Sequence, residues 1–276
     1  MVLKYLNDNS SFIDFTFQCV SNPTYNACGI YGGIDNNYIK YKGVTIMGIS
    51  IAIEGIDGSG KRTLAENLKK KIKSEWNVGA EIISFPRHKE DYSSDLVDKF
   101  LYEGLSFMDD EYKPIREGML YVIDRMVCMT RKREEGKSIL DRYNDGEILI
   151  FDRYMSSNFI HRSKHMTKEE LDLYIIQMKY LEYHLVGLPK PDVTFVLSVK
   201  PEVSYENILK RGREMDDNET IENLTEAYNN LEYLCKKEKY ELIDCCRLND
   251  EGKYEMLSRE EITEKVWERL KELAEM

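Results

Sequence analysis

The chain has 276 residues, 42% of them hydrophobic and 32% charged, which suits a globular protein with one large core or two small ones. Lys and Arg number 39 against 50 Asp and Glu, a net charge of −11. That balance excludes a sequence-blind nucleic-acid or acidic-membrane binder, whose affinity comes from excess cations, and no run approaches the roughly 18 apolar residues that span a bilayer. With no basic segment leading into an apolar one at the N-terminus, the expectation is a cytoplasmic protein.

Residues 1–46 read as an atypical, poorly ordered extension, rich in Asn, Ser, Tyr and Gly and without a period of 2 or 3.6. Its apolar patch, Phe12–Phe17, alternates enough to pair as an edge strand. From Met47 to residue 276 strands and helices alternate as one domain. Ile49–Glu54 is a short buried strand ending in a glycine turn, and Leu64, Leu68 and Ile72 form the apolar stripe of the following helix. Glu81–Phe85 is a second strand, closed by Pro86. A long helix follows over Ile115–Arg131, with Ile115, Met119, Val122, Met126 and Met129 as its core stripe.

Ile148–Phe151 is a third strand, running into Asp152-Arg153-Tyr154. Leu171–Leu185 is helical and stops at Gly187 and Pro189; Val193–Val199 is a fourth strand, and Pro201 opens another helix. Tyr240–Ile243 is a fifth strand and Arg259–Leu273 the closing helix. The alternation implies an α/β fold: a five-stranded parallel sheet with helices on both faces. Six cysteines without C-x-x-C spacing, and four histidines without H-E-x-x-H spacing, read as reduced thiols and argue against metal catalysis through those ligands.

The strongest motif is Gly55-Ile56-Asp57-Gly58-Ser59-Gly60-Lys61, between a buried strand and a helix. Glycines let successive N–H groups converge on phosphate oxygens, the helix N-terminus adds positive partial charge, and Lys61 can reach the terminal phosphates. The hydroxyl usually found next, which holds Mg²⁺, is replaced by Arg62, with Thr63 after it. Mg²⁺ is then held mainly by carboxylates, Asp152 and Asp57 being the candidates, or the site binds nucleotide without turnover. Arg87 and Arg153 follow strands at the carboxyl edge, where ligands of open parallel sheets bind and planar guanidinium suits phosphate. Tyr121 and Arg125, four apart, share one helix face opposite the apolar stripe, so a ring can stack on a base and an arginine reach its edge. Lys210-Arg211-Gly212-Arg213, followed by Asp216, Asp217 and Glu219, reads as a short closing lid.

IAIEGIDGSGKRTL (51–64), Phe85-Pro86-Arg87, YVIDR (121–125), FDRYMSSN (151–158) and LPKPDVTFVLSVKPE (188–202) have the order and spacing of the thymidylate kinases. The chain resembles that family over roughly residues 47–276. The resemblance implies a P-loop NTPase fold, phosphoryl transfer from ATP to dTMP with Mg²⁺, and a homodimer. It also implies that ATP sits on Gly55–Thr63, that Tyr121 stacks on thymine, and that Arg125 and Asn158 read its edge. Phe85 would line the acceptor site, Arg87 and Arg153 would grip the 5′-phosphate, and Asp57 would meet the sugar 3′-hydroxyl. His161 falls where the family has Tyr or Phe near the sugar 2′ position. With Gly58 where some members carry a P-loop arginine, Arg211 or Arg213 supplies the lid charge, and Glu219 joins Asp152 and Asp57 as a metal candidate.

Lys61, Arg153, Arg211 and Arg213 are thus the candidate catalytic residues. The rivals are a deoxynucleoside kinase, which needs a carboxylate beside the acceptor hydroxyl, and a non-catalytic nucleotide binder. A GTPase is excluded by the lack of an Asn-Lys-x-Asp segment.

Overall fold

The computed structural model describes residues 39–41, 44–46, 49–105, 107–162, 166–212 and 219–275, all within the compact unit Asn37–Met276. The expectations for residues 1–38, the Phe12–Phe17 patch among them, and for Met47 fall outside those residues. Within the stretch read as lacking regular structure, β1 (Ile39–Tyr41) and β2 (Val44–Ile46) pair as an antiparallel hairpin.

β3 (Ser50–Gly55) leads into α1 (Lys61–Glu75), β4 (Ala80–Ser84), α2 (Tyr92–Tyr102), α3 (Lys113–Thr130) and α4 (Ile139–Asn144). β5 (Ile148–Asp152), α5 (Ser156–Arg162) and α6 (Lys168–Lys179) follow, α6 continuing as a π-helical turn over Tyr180–Leu185. β6 (Val193–Ser198), α7 (Pro201–Leu209), α8 (Ile221–Glu238) and β7 (Glu241–Asp244) precede an antiparallel hairpin of β8 (Cys246–Leu248) and β9 (Tyr254–Met256), and α9 (Arg259–Glu275) closes the chain.

β3 to β7 form one sheet in the order β4-β5-β3-β6-β7, every pair parallel. The five-stranded parallel sheet expected from the sequence is therefore the one that forms. Strand alternation splits its side chains between two cores. Ala52, Leu149, Phe151 and Val196 face one side, with buried residues of α3, α5, α6 and α8. Ile51, Ile53, Ile148, Ile150 and Phe195 face the other, against α1 and α9, where the Trp76 and Trp267 rings lie 4.8 Å apart. The Leu64–Leu68–Ile72 stripe is buried there as expected. Cys128, Cys235, Cys245 and Cys246 are free thiols, and burial pushes Cys128, Cys235 and Cys245 up to about 12.

The α3 stripe differs from its expectation. Val122 and Met129 are buried, but Met119 and Met126 are 44% and 36% exposed, while Tyr121 and Arg125 are only 9% and 1% exposed. The reason is that α3 packs against α2, α4 and α6. Its buried arc therefore turns toward Tyr121 and Arg125 and leaves two methionines outside.

Candidate active site

The loop between β3 and α1 is glycine-rich because its backbone must turn where side chains do not fit. Gly55, Gly58 and Gly60 have φ of 147°, 83° and 88°, and a Cβ on Gly58 would collide with Ser204 of α7. From α7, the Ser204 hydroxyl donates to the Asp57 carbonyl and Asn207 Nδ2 donates to the Gly58 carbonyl at 3.2 Å. Gly60 is the N-cap of α1, and no acidic residue sits in that helix's first turn, so its positive end opens onto the loop uncompensated. Ile56 and Ser59 are buried, and Thr63 is half-buried on the first turn.

Lys61 curls back over the loop instead of standing clear of it. Its ammonium donates to the carbonyls of Gly55 at 2.9 Å and Ile56 at 2.8 Å, and to Ser59 Oγ at 3.3 Å. Burial first, and then the neighbouring Arg153, push this ammonium down to about 7 against the pull of Asp57, Asp152 and Glu54. Lys61 and Arg153 are two crowded cations, the first buried and the second half-buried. An arriving polyanion relieves both.

Arg153, just past β5, has a φ of 69°, and a buried carboxylate holds the turn it belongs to. Glu54 Oε1 accepts from the backbone N–H of Tyr154 at 2.8 Å and of Ser157 at 3.0 Å, and Oε2 accepts from the Ser157 hydroxyl at 2.6 Å. Burial raises the Glu54 carboxyl, and these bonds and the nearby cations work against the rise. Sequence reading passed Glu54 over; its signal was an acidic residue closing an otherwise apolar buried strand. Arg153 pairs through Nη2 with Asp57, while Nη1 lies 2.8 Å from His161 Nε2 and 3.4 Å from Ser157 Oγ. A guanidinium only donates, so His161 Nε2 carries the lone pair. Burial works to raise Asp57, but the cations Arg153, Lys61 and Arg211 hold its carboxyl well below the usual range. Asp57, Arg153 and His161 are thus brought together beside Lys61.

The three metal candidates sit in different surroundings. Asp57 is tied to Arg153, Glu219 is buried 3.8 Å from Arg211, and no three acidic, His or Cys side chains among the described residues could hold an ion together. Asp152 is different: Oδ2 accepts from Ser84 Oγ at 3.2 Å, and Oδ1 has no hydrogen bond to a described residue. Mg²⁺ keeps several waters and takes one or two carboxylates plus phosphate oxygens. A single carboxylate at the strand end fits that requirement.

On the acceptor side, Arg87 is held by two carboxylates and a serine. Its Nε donates to Asp124 Oδ1 at 3.0 Å, Nη1 to Asp91 Oδ2 at 2.8 Å, and Nη2 to Ser93 Oγ at 2.8 Å and Asp91 Oδ1 at 3.1 Å. Two nearly buried carboxylates, one on α3 and one capping α2, have claimed it. Arg125 is likewise anchored to Glu182, with Nε 2.9 Å from Oε2. Phe85 is buried against the rings of Phe151 and Tyr154, at 6.3 Å and 6.0 Å, and Tyr121 meets Phe100 edge-on at 6.3 Å. Asn158 is 4% exposed, and its Nδ2 is buried without a hydrogen-bond partner among the described residues. A buried amide donor left over in this way is costly unless something completes it.

At the lid, Arg211 is 42% exposed and close enough to Asp57 to stabilise its charge. Arg213, Asp216 and Asp217 lie outside the described residues, as does most of the expected lid. Among the described residues no helix is long and apolar enough to cross a membrane.

Comparison with known proteins agrees with this geometry. A probable thymidylate kinase of Archaeoglobus fulgidus is 28% identical over 163 residues, 59% of this chain and 70% of that one. The thymidylate kinase of Mycobacterium tuberculosis is 27% identical over 60% of this chain and 72% of its own. A probable thymidylate kinase of Saccharolobus solfataricus is 26% identical over 73% of this chain and 90% of its own. The family model for thymidylate kinase matches residues 53–248, from within β3 to the end of β8, and the chain belongs to the thymidylate kinase family.

Proposed function

We propose that the chain transfers the γ-phosphoryl group of ATP to dTMP, giving dTDP. The observation that carries this reading is the family match, which takes in the phosphate loop, Arg87, the α3 motif and the β5 turn together. Neither the nucleoside-kinase nor the non-catalytic reading gains support from it.

Lys61, Arg153 and the N-terminus of α1 supply positive charge where the phosphates must lie, and catalysis is positioning plus charge neutralisation. The acceptor phosphate, with a second pKa of about 6, is already ionised at neutral pH and needs no general base. Mg²⁺, when bound, screens charge on the transferring group, and Asp152 is the residue we assign to it.

Arg153 is the cation we assign to the acceptor phosphate. Arg87, clasped by Asp91 and Asp124, orders the α2–α3 junction next to it. Asn158 Nδ2 and Arg125 are suited to the carbonyl oxygens of a pyrimidine, with Tyr121 and Phe85 as its apolar surroundings. Asp57 and His161 face the sugar, and Arg211 and Arg213 bring the lid charge.

We also propose a homodimer: Met119 and Met126 of α3, and Leu173 and Ile176 of α6, are exposed apolar residues on two helices in contact. Residues 47–276 are the catalytic part, the family match falling wholly inside them. ATP and dTMP as substrates fit a cytoplasmic location. Phosphorylation of dTMP, with thymidine as the counter-substrate, tests the reading.

A further inference from the structure

Phosphate loops of this kind place a hydroxyl directly after the lysine, and that hydroxyl reaches the metal ion. Here the position is Arg62, and a hydroxyl appears on another element. Ser84 ends β4 and is the register partner of Asp152 at the end of β5. Its Oγ lies 3.2 Å from Asp152 Oδ2 and 2.7 Å from Arg62 Nη1. A guanidinium has no acceptor and a hydroxyl has a single proton. Ser84 therefore accepts from Arg62 and must donate to Asp152, so every proton in the chain Arg62–Ser84–Asp152 has one direction. Glu66, one turn along α1, accepts from Arg62 Nε at 3.0 Å. It holds the guanidinium in place and offsets a charge that would otherwise oppose a cation.

We propose that Arg62 and Ser84 are positioning residues that lock the Asp152 carboxylate through Oδ2 and leave Oδ1 for the nucleotide's divalent cation. This relay substitutes for the hydroxyl that the loop lacks, and it rests on the kinase reading above. Neither residue touches the reacting atoms. Both act through Asp152.

The test uses Mn²⁺ as the probe ion and a non-hydrolysable ATP analogue, with bound Mn²⁺ read by electron paramagnetic resonance. Outer partners of metal ligands typically contribute about 10–100-fold in affinity, so Ser84→Ala and Arg62→Met should each weaken Mn²⁺ binding by about tenfold or more. Arg62 is 58% exposed, so its replacement leaves the fold intact, which a thermal melt verifies. Because the two act in series, the double variant should lose no more than Ser84→Ala alone. Wild-type Mn²⁺ affinity in either single variant, or losses that add in the double, would overturn the relay. Turnover of dTMP by the wild-type chain is measured alongside: its absence sinks the kinase reading, whereas its presence with unaltered Mn²⁺ binding sinks the relay alone.

Discussion

Arg125 on α3 and Glu182 in the π-helical turn after α6 form an ion pair in which the two side chains are 2% and 0% exposed. Burial alone would raise the Glu182 carboxyl and lower the Arg125 guanidinium. The pairing pulls each back toward its charged form. The Arg125 guanidinium also lies over the Tyr154 ring at 5.7 Å, so one contact ties α3, the β5 turn and the end of α6 together.

Removing one partner of such a pair leaves an uncompensated buried charge, at a cost of about 3–5 kcal/mol. Glu182→Ala should therefore lower the thermal midpoint by about 2–4 °C per kcal/mol lost. It should also raise KM for dTMP, because Arg125 loses its anchor. An unchanged midpoint together with an unchanged KM would show that the pair does neither.

Lys61 makes nucleotide binding pH-dependent. Its folded value of about 7 lies below the ordinary 10.5. Between those values the unfolded chain binds more protons, so this group's contribution to stability improves as pH rises from about 7, and the burial penalty is full below it. Phosphates favour the charged form. Binding of ADP at about pH 8 should then take up about one proton, read as calorimetric heats that scale with the buffer's ionisation enthalpy. Lys61→Met should bind without that uptake; an equal uptake in the variant would place the titrating group elsewhere.

Arg211 is half in solvent and pairs only loosely with Glu219, so its charge is free to respond to the transferring group. Arg211→Ala should lower kcat far more than it raises KM for dTMP, since lid charge matters when negative charge redistributes. A kcat equal to wild type would make Arg211 an ordinary solvated end of α7.

The exposed apolar residues on α3 and α6 predict association. Met126→Glu with Ile176→Glu should shift sedimentation from dimer to monomer, while the circular dichroism spectrum stays unchanged, because neither side chain contributes to a core. Wild-type chain sedimenting as a monomer would remove the dimer from the account.

The strands and the phosphate loop were legible because their signals are local: short apolar runs, and glycines at the positions that need positive φ. The α8 stripe of Leu224, Leu231 and Leu234 is also local, and reading it would have found that helix. What was not legible was non-local. The clasp on Arg87 could not be read because Asp124 lies 37 residues away. The anchor of Arg125 could not be read because Glu182 lies 57 residues on. Met119 and Met126 looked buried because helical periodicity cannot say how many neighbours a helix packs against. Glu54 was readable in principle, as a charge in a buried strand, but only the fold shows that it pins the turn carrying Arg153.

The most direct test of the central claim is one coupled assay of ADP formation with ATP across dTMP, dUMP, the other nucleoside monophosphates and thymidine. The account predicts the highest kcat/KM for dTMP and a smaller value for dUMP, the missing methyl being worth about 1–3 kcal/mol in a hydrophobic pocket. It predicts almost no turnover of thymidine, which gives Arg153 no phosphate to hold. Thymidine preferred over dTMP, or no ADP formed with any acceptor, would contradict it.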